Sequence, residues 1–246
     1  PTSEPCRSVH WLCKAAGIPL RLRATWLGRG HHRQEAFLRV NPRHQVPALL
    51  HGHFALSEAQ AIMRYLCELH GVLDKWFGES LEERARISML LSWHHHAVRK
   101  TVMLNYNLPT YYLPFYFGGA AAARPGKEKL EELRKNFAES LQQLEEFIGS
   151  EPFLVGGRLT AADIAIAPDL TAMDVDPDVN EILAAFPAVR KWLERLRETP
   201  GFIESHAGFA NALPAMREHF VSQSATPGDF SFMDCWEDPW LEANEA

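Results

Sequence analysis

The chain has 246 residues, 46% of them hydrophobic and 23% charged, which is ample for a packed core and too balanced for disorder, in one large or two small domains. No apolar run reaches the roughly 20 residues of a bilayer crossing, and the opening PTSEPCRSVH lacks the basic-then-apolar plan of a secretory signal, so a membrane-spanning helical protein is excluded. Acids outnumber bases 31 to 25, and six of the acids fall in the base-free stretch 229–245, so the body is neutral and carries no basic excess for nucleic acid.

In chain order, Val9, Leu12 and Cys13 at helical spacing behind Ser3-Glu4-Pro5 predict a helix over 5–16, ended by Gly17 before Pro19. LRLRATW at 20–26 alternates apolar and polar side chains and predicts a half-buried strand. A short helix is expected at 32–39. The runs 46–50 and 54–56, split by His51-Gly52-His53, predict a hairpin. Ser57-Glu58 opens a helix carrying Ile62, Leu66 and Leu69 on one face. Beyond 79 the pattern is helical only: one long helix over 81–104, and another over 127–148 with Leu130, Leu133, Phe137, Leu141, Leu144 and Phe147 as its stripe. Thr160 and Asp163 form a capping-box-like helix start, and later helices fit 187–198 and 212–220. The segment 106–117 holds four of the five tyrosines.

Three segments in this order, NPRHQVPAL at 41–49, FALSEAQAI at 54–62 and LTAADI at 159–164, resemble the glutathione transferase superfamily. SEPCR at 3–7 and WHHHAVR at 93–99 resemble its theta class in particular. The resemblance implies a thioredoxin-like, glutathione-binding domain at 1–71, a linker at 72–78 and an all-helical domain at 79–221. An acidic aromatic tail at 222–246 lies outside it. The family's first strand has no counterpart in Pro1-Thr2, so three strands are expected unless residues lie upstream.

By the same resemblance Ser3 donates a hydrogen bond to the glutathione sulfur and Arg99 faces the electrophile, which makes both catalytic candidates. His32, Gln45, Val46, Pro47, Glu58 and Ala59 line the tripeptide site, with Val46-Pro47 in the cis form. Tyr106, Tyr111, Tyr112 and Phe115 either wall a hydrophobic substrate pocket or belong to the core. Where the family has Glu-Ser, this chain has Glu58-Ala59; a hydrogen bond lost to a carboxylate costs about 1.5–3 kcal/mol. The implied activity is attack of the glutathione thiolate on a small hydrophobic electrophile, with glutathione as co-substrate and no metal. The implied partner is a second copy of the chain, in a cytoplasmic protein, or one of an organelle if a targeting segment was removed. The alternative is a non-catalytic subunit or interaction module of a larger assembly.

Other residues carry plainer expectations. Cys6, Cys13, Cys67 and Cys235 form no CxxC pair or disulfide scaffold, which points to a reducing compartment. Cys6 stands three residues after Ser3, as the second cysteine of a redox pair would, and is expected to be a buried helical thiol. Consecutive helical residues point about 100° apart, so His94, His95 and His96 are expected in packing and surface roles. Gly28 and Gly30 fit a turn.

Overall fold

The computed structural model describes residues 2–118 and 125–222; most of the acidic tail, with Cys235, lies outside the described residues. Helix α1 (Glu4–Ala16) has Pro5 in its first turn and ends where Gly17 turns left-handed at φ 68°, letting the Ile18 N–H reach the Cys13 carbonyl at 2.8 Å. The alternating segment 20–26 does not become a strand. A strand exists through its ladder, and among the described residues no neighbour pairs with it; Leu22 is left 47% exposed. The expected three-stranded sheet is therefore a two-stranded antiparallel hairpin, β1 (Ala48–His51) and β2 (Phe54–Ser57), with Leu49 opposite Leu56. Gly52, at φ 60°, supplies the positive dihedral that its two-residue turn requires.

Between α1 and the hairpin lie a 3-10 turn (His31–Arg33) and the short α2 (Glu35–Leu38), which buries Phe37. Helix α3 (Ala59–Leu69) presents Ile62, Met63, Leu66 and Cys67 to the core, where it packs on α1. The expected linker contains helix α4 (Leu73–Phe77), because Trp76 and Phe77 are both buried there.

Helix α5 (Leu81–His96) opens on Ser80, whose hydroxyl accepts the Glu83 N–H at 3.1 Å. It stops short of the expected 81–104. At Ala97 the backbone leaves the helical region (φ −98°, ψ −100°), and Arg99–Tyr112 winds as a π-helix. The buried residues of that segment suit the wider winding: Val102, Tyr106 and Tyr111 follow one another at four and then five residues. Helix α6 (Leu113–Phe117) continues from it.

Helix α7 (Lys127–Ile148) buries Leu133, Phe137, Leu141 and Leu144 as its stripe predicts, but Ile148 replaces Phe147 as the last buried residue. Phe147 stacks edge-on against Trp93 instead, at 5.0 Å. Truncating Phe137 to Ala would remove about 3–5 kcal/mol. Helix α8 (Ala161–Thr171) is buried along its whole length. Its capping box goes further than the sequence suggests, because Asp163 also accepts the Leu154 N–H at 2.9 Å and the Trp192 indole at 2.8 Å. Helices α9 (Val179–Ala184), α10 (Pro187–Arg197) and α11 (Phe202–Val221) complete the helical part.

Helix α1 is the joint between the two parts, because it packs on α3 on one side and on α8 and α11 on the other. Fully buried Arg7 donates to the Pro168 carbonyl at 2.9 Å and the Thr171 hydroxyl at 3.1 Å, at the C-terminal end of α8 where a cation is favoured. It also lies 4.4 Å over the Phe209 ring, and Trp11 donates to the Pro200 carbonyl at 3.1 Å. Among the described residues no helix is long and apolar enough to cross a membrane.

Candidate active site

A cavity of about 1340 Å³ opens between the hairpin part and the helical part. Ser3, Arg99, His32, Gln45, Val46, Pro47, Glu58, Ala59 and Tyr112 all line it. Residues predicted from separate stretches of the chain therefore meet around one space.

The loop before β1 is organised by Asn41, which is 2% exposed. Its amide donates to the Gln45 carbonyl at 2.7 Å and its side-chain oxygen accepts the Arg43 N–H at 3.1 Å, a turn that asparagine forms with its own backbone. This delivers Gln45, Val46 and Pro47 to the cavity, and the Val46-Pro47 bond is cis. His32 comes from the 3-10 turn with its Nδ1 buried and unbonded among the described residues. Burial lowers its pKa, and nearby Arg33, His44 and His31 add to the effect.

Glu58 joins β2 to α3 at φ 71° and ψ 112°, a conformation that a side chain rarely adopts and that is commonly held at functional sites. Its carboxylate pairs with Arg43 at 2.8 Å, but both side chains are more than half exposed, so the pair contributes at most about 1 kcal/mol and is readily exchanged for a ligand. Ala59 begins α3 and offers no hydroxyl.

Ser3 stands at the N-cap of α1 and makes no side-chain capping bond. Its hydroxyl instead lies beside Cys6, where it opposes the burial that pushes the Cys6 thiol up to about 11. Cys6 is thus protonated near neutral pH and unsuited to nucleophilic work. Behind Ser3, Glu4 is buried, and burial raises its carboxyl above the usual range against the pull of Arg99 and Arg7. The Arg99 Nη1 lies 2.6 Å from Asp169 and 3.5 Å from Glu4. Burial acts against its charge, but the two carboxylates outweigh burial and hold the guanidinium protonated.

The aromatic segment divides. Tyr112 faces the cavity, together with Tyr116 and Phe117, while Tyr106, Tyr111 and Phe115 lie buried in the helical core and do not line it. Tyr106 is bonded to Asp176 and to Arg134, Tyr111 packs 4.7 Å from Phe220, and Phe115 meets His219 edge-on at 5.5 Å. The π winding turns Tyr106 and Tyr111 inward, and Phe115 follows from α6. His94 turns inward while His95 and His96 stay exposed, as their angular offset requires. Sequence reasoning missed Glu4, Gln60, His94 and Asp169, which also line the cavity; they lie far apart in the chain, and no spacing signal connects them.

Comparison with known proteins agrees with this geometry. The family model described as glutathione S-transferase, N-terminal domain, matches residues 1–79, and the one described as its C-terminal domain matches residues 127–195. The chain is 35% identical over 169 residues to human glutathione S-transferase theta-2, covering 68% of this chain and 67% of that protein. It is 31% identical over 208 residues to mouse theta-1, covering 83% and 84%. The structure of human glutathione-S-transferase T1-1 in its apo form superposes with a TM-score of 0.78 at 26% identity, covering 98% of this chain and 95% of that one. A human theta-class transferase in complex with the glutathione conjugate of 1-menaphthyl sulfate gives 0.77 at 26% identity, covering 99% and 96%. With its hairpin, its cis Val46-Pro47 and its helical half arranged in this way, the chain belongs to the glutathione S-transferase family and is theta-class-like.

Proposed function

We propose that the protein joins glutathione through its sulfur to a small hydrophobic electrophile, with Ser3 and Arg99 as the catalytic residues. The convergence of Ser3, Arg99, Val46, Glu58 and His32 on one cavity carries this reading. Val46 offers its backbone to the cysteinyl part of the tripeptide. Glu58 receives the γ-glutamyl ammonium beside Ala59, and His32 and Gln45 receive the glycyl carboxylate.

A free thiol has a pKa of about 8.5, and a hydrogen-bond donor with a helix N-terminus lowers it. Ser3 supplies both, since its hydroxyl is not used for capping and α1 starts beside it. The thiolate attacks the electrophilic carbon, a carbon–sulfur bond forms as the bond to the leaving group breaks, and the thiol proton passes to water. Arg99 faces the charge that develops on the leaving group. Tyr112, Tyr116 and Leu108 give the electrophile an apolar wall.

The experiment is turnover of full-length protein with millimolar glutathione against a panel of alkyl halides, aryl halides and peroxides, with calorimetric titration of glutathione. Conjugation together with saturable binding supports the reading; absence of both refutes it. A two-fold homodimer is proposed alongside, and light scattering near about 56 kDa, twice the 27.9 kDa chain, is its readout.

A further inference from the structure

Five polar side chains from five different elements form one line of hydrogen bonds along the cavity wall. Gln60, in the first turn of α3, donates its amide to the Leu91 carbonyl at 3.1 Å and lies 3.4 Å from His94 Nδ1. His94 Nε2 is 2.6 Å from one oxygen of Asp169, and the other oxygen is 2.6 Å from Arg99 Nη1. The same Nη1 reaches Glu4 at 3.5 Å, one residue after Ser3. One tautomer of His94 completes the line, with Nε2 donating to the carboxylate and Nδ1 accepting from the amide. Asp169 is only 1% exposed and His94 7%.

A buried ion pair is a poor source of stability, because apolar residues of the same volume often do as well. What such a line does supply is position. An unanchored arginine samples many rotamers, whereas Asp169 engages Arg99 through Nη1 alone and so leaves Nε and Nη2 outside the pair.

We propose that Asp169 and His94 are positioning residues, fixing the Arg99 guanidinium on the cavity wall and tying it through Gln60 to the first turn of α3. The electrophile end and the tripeptide end of the site then hold a constant separation. This inference rests on the transferase reading above.

The test is a double-mutant cycle with Asp169→Asn and Gln60→Met in the full chain, reading kcat, the glutathione KM, calorimetric glutathione binding and the unfolding midpoint. D169N is expected to lower kcat about tenfold or more, for an electrophile with an anionic leaving group, while glutathione affinity stays within about threefold. The product of the single losses in kcat/KM is expected to miss the double by more than about threefold, since unconnected sites combine to within about twofold. A folded D169N with kcat within twofold of the parent overturns the proposal, and so do single losses that multiply. Should D169N fail to fold, half-buried Gln60→Met decides the matter: a fall in kcat as well as in glutathione affinity supports the tie, and an unchanged kcat removes it. A parent that neither binds nor conjugates glutathione overturns this inference together with the function beneath it, whereas an active parent with an unaffected D169N removes only the positioning role.

Discussion

Replacing Ala59 by serine should strengthen glutathione binding. Ala59 lines the cavity, is half-buried and opens α3 directly after Glu58, whose φ of 71° turns the chain toward the ligand space. A hydroxyl there would donate to the γ-glutamyl carboxylate. Hydrogen bonds to charged groups contribute about 1.5–3 kcal/mol, and the half-exposed setting puts this one at the low end, so Kd should fall about tenfold. The bond forms equally in the ground and transition states, so KM should fall while kcat stays within about twofold. Serine is well accepted at a helix start, so stability should move by less than about 0.5 kcal/mol. The assay is calorimetric titration of parent and A59S with glutathione and with an analogue lacking the γ-glutamyl carboxylate. An affinity change below twofold, or an equal gain with the analogue, would refute the assignment of that carboxylate to the start of α3.

Three more outcomes follow from the geometry. Ser3→Ala removes one donor to an anionic sulfur, so kcat at neutral pH should drop about tenfold to a hundredfold and the pH–rate profile should move about 1–2 units to the alkaline side; an unmoved profile would take Ser3 out of the chemistry. Arg7→Met strips two hydrogen bonds and the ring contact from a fully buried cation and leaves Glu4 with one cation fewer, for a loss of about 3 kcal/mol in urea unfolding; a loss under about 1 kcal/mol would contradict the joint described for α1. His206 is held neutral, with burial pushing its pKa down to about 2 from 6.5. Below pH 6.5 the unfolded chain takes up a proton that the native chain does not, so stability falls by up to about 1.4 kcal/mol per pH unit. His206→Phe, which keeps the ring stacked 3.9 Å from Phe202, should therefore lose about 1.6 kcal/mol less than the parent between pH 6.5 and 5, and equal losses would exclude His206 as the cause.

Much of the fold was readable where one element's own pattern decides its fate. The stripe of α7, the Thr160–Asp163 helix start and the hairpin around Gly52 each need only local spacing and turn chemistry. Residues 20–26 show the limit, since alternation tells which side chains share a face but no segment can supply its own ladder partner. The helix expected over 81–104 failed for a related reason. Period-3.6 reasoning has no register for a π-helix, yet buried residues four and five apart carried that signal. The aromatic segment stayed open between pocket and core for the same reason, because the winding decides which rings face the core. In the candidate site, the residues singled out on the family-like segments meet around one cavity. The line from Gln60 through His94 and Asp169 to Arg99 was invisible, since its members are 75 residues apart at the widest bond and only folding makes them neighbours.

The anchoring of α1 limits how this protein can be recombined. Residues 1–79 form one recognisable half, yet the helix that carries Ser3 is fastened to the other half through Pro168, Thr171 and Pro200. A chimera that joins this half to a foreign helical half will keep the serine in place only if the newcomer presents a carbonyl and a hydroxyl to Arg7 and a carbonyl to Trp11. Exchange of the helical half therefore has to keep this seam before it can vary the pocket.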